Sequence, residues 1–365
     1  MRERRSEKPE DPLTSLREKS QIRGDSPADP AQSWRGRLSA QYMTVAPFFL
    51  NPIRSPRPRP PHRRPFRAVL TDPTRGSVPL IGDLYLASPE RTARRLNILI
   101  HGISSTHKAS YLSPQLRESL RAGSDALSIS LRGAVGEGID HYHAGLSDDL
   151  HALFRDARLA DYQEITVTGY SLGGLVSLCF ASECRDPRLG AVAAICPPLD
   201  LGVVQDHLDQ PQQRIYRSAI LSTLRRDYFK IWRNARAAGV PLGPTRDEIR
   251  SIRSFKAWDE VVVLSRFPFQ DQSDYHQQVS MSTRRFTAIE RPTLIYLERN
   301  DPMIPFVRLT RLITPLSEGK WPLIDLVVGQ GGGHLGFSST LRLNDDGEAG
   351  LAPQLERWFH HQLRA

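Results

Sequence analysis

TVTGYSLGGLVSL, residues 166–178, decides how the rest of the chain is read. Thr166, Val167 and Thr168 are β-branched and read as a strand. Gly169-Tyr170-Ser171-Leu172-Gly173 reads as a sharp turn, and the small apolar residues after it as a helix. Alone, G-x-S-x-G proves little, since ordinary glycine and serine frequencies produce it in about one chain of this length in ten. Its context carries more weight. RLNILIHG (95–102), ALSISLRG (126–133) and AVAAICPP (191–198) are short apolar runs of strand character. They alternate with helical segments at 114–123, 146–160, read as one amphipathic helix, and 172–184. Strands apolar on both faces and joined by helices imply a buried parallel sheet, so the fold class is α/β. FRAVLT (66–71) and VPLIGDLYLAS (78–88), separated by DPTRGS, form an antiparallel opening pair.

The alternation stops over 199–285, which is rich in Arg and Gln and reads as a helical insertion capping the body. It resumes with strands at 292–301 and 321–334 and a closing amphipathic helix at 353–363. The domain is therefore expected over 66–365.

Residues 1–65 differ in kind. They hold 11 of the 28 prolines, and twelve Arg and two Lys against four Glu and three Asp, so most of the formal +9 charge sits there. RSPRPRPPHRRP (54–65) forbids helix and repels itself, and the segment is expected to be a disordered, solvated tail with at most weak contact to an anionic surface. It has neither the apolar core of a secretory signal nor the character of a transit peptide, and MTVAPFFL at Met43 offers an alternative start. A tail tethering the protein to nucleic acid or membrane is the competing reading; the nearly neutral body gives no reason to expect specific nucleic-acid binding. No run approaches a membrane span. Cys179, Cys184 and Cys196 have no C-x-x-C spacing and are expected as buried thiols, consistent with a reducing cytoplasm.

In parallel sheets, reactive groups gather at the carboxyl ends of strands. Three follow strands in the order Ser171, Asp301, His334. A serine hydroxyl becomes a nucleophile when an imidazole takes its proton, and a carboxylate fixes that imidazole. Asp200 competes with Asp301 for the acid; His360 and His361 fall on the last helix and read as surface residues. Backbone N–H groups of Ile103 and Leu172 stand where an oxyanion hole is required, with His101 shaping the first of these loops. His143 and Asp148 match an H-x-x-x-x-D spacing, which two polar residues reach easily by chance. GAVGEG (133–138) lacks the Lys and Ser/Thr of a phosphate loop, and no Cys/His cluster has zinc spacing, so no cofactor or metal is expected.

With these residues assembled, the chain resembles the α/β-hydrolase superfamily and, within it, the YheT-like branch. ILIHGISS, SLRGAVGEGIDHYHAGLSDDL, VTGYSLGG, SFKAWDEVVV with DYHQQVS, PTLIYLERNDPMIP and GGGHLGF carry the likeness in order over residues 66–365. The resemblance implies an α/β-hydrolase fold with Ser171 as nucleophile, Asp301 as acid, His334 as base, and Ile103 and Leu172 as oxyanion donors. It implies a carboxylic ester hydrolase acting on medium-chain or lipid-like acyl esters. Acyl transfer on the same acyl-enzyme, and a non-catalytic binding protein on this scaffold, are the alternatives. GISSTHKAS and RGAVGEG depart from the usual pattern, which bears on substrate choice rather than on the triad.

Overall fold

The computed structural model describes residues 41, 44, 62–89, 93–343 and 347–364. Its centre is an eight-stranded sheet. The strands are β1 (Arg63–Asp72), β2 (Gly76–Tyr85), β3 (Arg95–Ile100), β4 (Asp125–Ser130), β5 (Glu164–Tyr170), β6 (Leu189–Ile195), β7 (Thr293–Glu298) and β8 (Ile324–Gly329), in spatial order β1-β2-β4-β3-β5-β6-β7-β8. β1 and β2 pair antiparallel, as do β2 and β4; every later pair is parallel. The mostly parallel sheet with antiparallel opening strands is the one expected. β1 begins at Arg63, so the boundary drawn after residue 65 falls inside it. Most of the tail lies outside the described residues, yet Thr44, within that stretch, is fully buried.

Local chemistry accounts for the hairpin. Asp72 Oδ1 accepts hydrogen bonds from the Thr74 and Arg75 backbones and the Thr74 hydroxyl, and Gly76 takes the positive φ (68°) that brings the chain back.

Helices cover both faces. In chain order they are α1 (Ser113–Arg121), α2 (Asp148–Phe154), α3 (Leu172–Glu183), α4 (Leu201–Leu208), α5 (Arg214–Ala237), α6 (Arg246–Ser251), α7 (Phe255–Trp258), α8 (Gln272–Val279), α9 (Thr283–Thr287), α10 (Thr310–Ser317) and α11 (Leu351–Gln362). α3 is buried from Leu172 to Ser182. That is why its sequence has no polar face: it lies against β5 and β6 with other elements over it.

The helix expected over 146–160 is shorter than its pattern. It stops at Phe154, and a 3-10 turn over Ala157–Leu159 follows, because the Asp156 carboxylate accepts from the Arg158 N–H and starts the chain afresh. Between β6 and β7 the described chain is helical from α4 to α9, with a π turn at Asp259–Val263 directly after α7. All three cysteines are free and buried. Among the described residues no helix is long and apolar enough to cross a membrane.

Candidate active site

Ser171 occupies the one-residue gap between β5 and α3. Its backbone is at φ 54°, ψ −123°, a conformation costly for a residue with a side chain. The surroundings hold it there. Its N–H donates to Ile195 O at 2.8 Å, and its carbonyl accepts from Gly174 N at 2.8 Å. Gly173 has to be glycine because a Cβ there would stand 2.4 Å from the His101 carbonyl oxygen at the end of β3. The sharp turn and the absence of a side chain at Gly173 follow from one requirement: the start of α3 must pass directly over the strand ends.

The Ser171 hydroxyl lies 2.7 Å from His334 Nε2, and His334 Nδ1 lies 2.7 Å from Asp301 Oδ2. Asp301 Oδ1 accepts from the Met303 and Ile304 N–H groups at 2.7 and 3.0 Å, which fixes the carboxylate. The three residues are 5%, 7% and 2% exposed in the order Ser171, Asp301, His334. A carboxylate on Nδ1 sets that nitrogen as the donor and leaves Nε2 to accept from the serine hydroxyl.

Two features hold the His334 loop. Its N–H donates to the Thr44 hydroxyl at 2.8 Å, a contact made by a residue of the stretch expected to be a solvated tail. Beside it, a Cβ on Gly332 would stand 2.4 Å from Glu298 Oε1. Of the glycines before His334, Gly332 is therefore explained by close approach to the end of β7.

The Ile103 loop is pinned on both sides. Gly102 N donates to the Tyr111 hydroxyl and Ser104 N to the Tyr142 hydroxyl, each at 2.9 Å. Among the described residues the Ile103 N–H between them has no hydrogen-bond partner, nor has the Leu172 N–H in the first turn of α3. His101 bridges the two strand ends: Nδ1 meets the Gly102 carbonyl at 2.7 Å, and Nε2 accepts from Leu131 N at 3.1 Å. Burial lowers its pKa to about 4, so it is a neutral strut.

The remaining sequence candidates separate cleanly. Asp200 caps α4, accepting from Val203 N at 3.0 Å. His360 and His361 lie on α11. His143 does not open a helix with Asp148; it sits in the loop before α2, buried against Phe267 and Phe269, while the Asp148 side chain is turned to solvent. Cys196, directly after β6, stands with Asp301 and His334 so that one ligand-type atom from each lies within 4.8 Å of the others, the single such group among the described residues. The His334 and Asp301 atoms are already bonded to one another, so a cation there would have to displace the proton they share.

Two cavities meet at Ser171. One, of about 90 Å³, lies under the α4–α8 segment and includes Val204, Leu208, Leu224 and Trp258 in its wall. The other, of about 240 Å³, is walled by α5 through Ile215, Tyr216, Ala219 and Ile220. Ile103, Ser171, Met303 and His334 border both. Sequence reasoning missed Tyr111 and Thr44 as supports of the site, and took the Tyr142–His143 segment only as a structural element that the family resemblance implies. Tyr111 and Tyr142 lie 11 and 12 residues past the ends of β3 and β4, too far for strand-end position to mark them, and nothing marked Thr44.

A protein of Escherichia coli (strain K12) named as an esterase, YheT, is 24% identical over 275 residues, covering 73% of this chain and 77% of that one. Phospholipase ABHD3 of Mus musculus is 22% identical over 254 residues, 68% of this chain but only 59% of that protein. Among solved structures, the Pyrococcus furiosus esterase Pf2001 is similar at 16% identity and a TM-score of 0.46, covering 75% of this chain and 84% of that one. A family model described as the alpha/beta hydrolase family matches residues 98–345. The chain belongs to the α/β hydrolase family.

Proposed function

We propose that this protein hydrolyses carboxylic esters through an acyl-enzyme on Ser171. The observation carrying the proposal is the unbroken chain from Asp301 Oδ2 through His334 to Ser171 Oγ, ending where two apolar cavities join. In this reading His334 Nε2 takes the Ser171 proton as Oγ attacks the ester carbonyl, and Asp301 stabilises the resulting imidazolium. The oxyanion is received by the Ile103 and Leu172 N–H groups, each worth about 3 kcal/mol in reactions of this kind. His334 returns the proton to the departing alkoxide, and water, deprotonated in turn by His334, releases the acid. The helical segment between β6 and β7 serves as a cap, excluding water and contributing half of the residues in the smaller cavity's wall. Its apolar lining favours alkyl groups on the ester.

The test is hydrolysis of p-nitrophenyl esters from acetyl to palmitoyl by the wild-type protein and by Ser171→Ala. A maximum at one chain length, abolished in the variant, is expected. Equal rates in the two proteins would reject the assignment.

A further inference from the structure

The smaller cavity is apolar in most of its wall, but two buried residues that carry unpartnered hydrogen-bond acceptors border it. The first acceptor belongs to Asp259, the residue that begins the π turn; π turns inside helical runs are frequent at functional sites. Asp259 is 8% exposed. Its Oδ2 accepts from Gln205 Nε2 at 2.5 Å and faces His276 Nε2 at 3.4 Å. Its Oδ1 has no hydrogen-bond partner among the described residues, and it is not among the buried polar atoms sealed away without one. Asp259 therefore keeps some accessible surface, and it borders the cavity.

The second acceptor belongs to His143. Nδ1 stands 2.6 Å from the Ala144 carbonyl, which can only accept, so that nitrogen carries the hydrogen and Nε2 holds a free lone pair. Burial lowers the pKa to about 3, so the ring is neutral at pH 7. Nε2, like Asp259 Oδ1, has no partner among the described residues and is not sealed. The neighbouring His141 provides the contrast: both of its ring nitrogens are sealed in protein with no partner. His143 alone of the two borders the cavity.

Acceptors without donors in an apolar wall call for a ligand that brings the donor. A hydroxyl fits. It supplies one hydrogen, for one of the two acceptors, on a small alkyl stem, whereas an ammonium would bring three donors into a space of about 90 Å³ that offers two acceptors. Resting on the ester-hydrolase reading, we propose that the smaller cavity is a recognition site for a short hydroxylated arm of the ester, its hydroxyl donating to Asp259 Oδ1 beside the His143 ring, while the larger cavity takes an apolar arm. The substrate class is then an ester unlike on its two sides, one arm long and plain, the other short and hydroxylated.

The experiment uses two matched pairs: propyl decanoate against 3-hydroxypropyl decanoate, and decyl butanoate against decyl 3-hydroxybutanoate. Together they cover a short arm on the alcohol side or on the acyl side. The readout is the ratio of kcat/KM within each pair, which is independent of how much of a variant is folded. The wild-type protein is expected to favour the hydroxylated member of one pair by about 10- to 100-fold, the range for a hydrogen bond to a charged or buried acceptor. Asp259→Leu should bring that ratio close to one, and His143→Phe should lower it. A wild-type ratio near one in both pairs, while the plain esters turn over, overturns this proposal and leaves the hydrolase reading standing. So does a ratio that survives both substitutions, or a 3-aminopropyl ester preferred to the hydroxyl. Absence of Ser171-dependent turnover for all four esters overturns both readings.

Discussion

Two sets of buried charged and polar side chains in this protein differ in what surrounds them. Ser171, His334 and Asp301 form a chain that ends at a hydroxyl bordering two cavities. Arg132 is the centre of the other. Its Nε bonds Asp149 at 2.7 Å, and one terminal nitrogen bonds Asp72 and Asp140 at 3.0 and 3.1 Å. Arg266, from the segment between β6 and β7, bonds the same Asp72 and Asp140, each at 2.8 Å. This second set is closed off from the site: its carboxylates are all paired, Arg132 Nη2 is buried with no hydrogen-bond partner, and none of the five residues borders either cavity at Ser171. Burial and ion pairing alone do not mark a catalytic site. The distinguishing features are strained backbone at Ser171 and N–H groups left without partners beside an open space. The closed set has a different task. It ties the end of β1, the loops after β4 and the helical segment together, and so sets where the proposed cap sits over Ser171.

Breaking each set should produce a different kind of loss. Ser171→Ala is expected to lower ester kcat by a factor on the order of 10⁶ with thermal stability unchanged or raised, followed by steady-state kinetics and calorimetry. Asp301→Asn keeps the shape but allows the wrong His334 tautomer, with an expected loss in kcat on the order of 10⁴-fold. Arg132→Met removes the centre of the closed set and leaves three buried carboxylates short of a partner. The expected cost is about 3–5 kcal/mol in urea unfolding, with soluble yield falling accordingly. A neutral result there would show that Arg266 alone holds the set.

The smallest effect belongs to a half-exposed pair. Burial alone would raise the Glu183 carboxyl, but hydrogen bonds from His151, Ser147 and Arg285 outweigh it and hold it at about 2 instead of 4.5. A lowered carboxylate stabilises above its unfolded value, and that contribution is lost as pH falls from 4.5 through 2. Because the Glu183 side chain is 38% exposed, screening keeps the amount below about 1 kcal/mol. Glu183→Gln should flatten the acid limb of the stability curve by that amount in unfolding titrations between pH 5 and 2.

The parts of this molecule that were legible in its sequence share a local origin. Every expected strand is present: β3 to β7 are buried on both faces and leave mostly apolar stretches, whereas β1 alternates exposed and buried residues. Ser171, Asp301 and His334 could be collected because each follows a strand directly or by a short loop, with glycine or proline marking the turn. The closed ion set was not legible. Arg266 and Asp72 are 194 residues apart, and each alone reads as an ordinary surface charge. Thr44 was hidden for the same reason: in a Pro- and Arg-rich stretch nothing local indicates that one hydroxyl will receive the His334 N–H. His143 was set aside as a chance match, and its placement against Phe267, Phe269 and Tyr275 depends on residues more than a hundred positions away.

The central claim is that Ser171 is the activated nucleophile of this fold. Its most direct test is reaction with an alkyl fluorophosphonate, with the adduct located by peptide mass spectrometry. The account predicts a single adduct on Ser171, absent from Ser171→Ala and formed far more slowly in His334→Ala. An adduct on another residue, or labelling of Ser171 that is indifferent to His334, would contradict it.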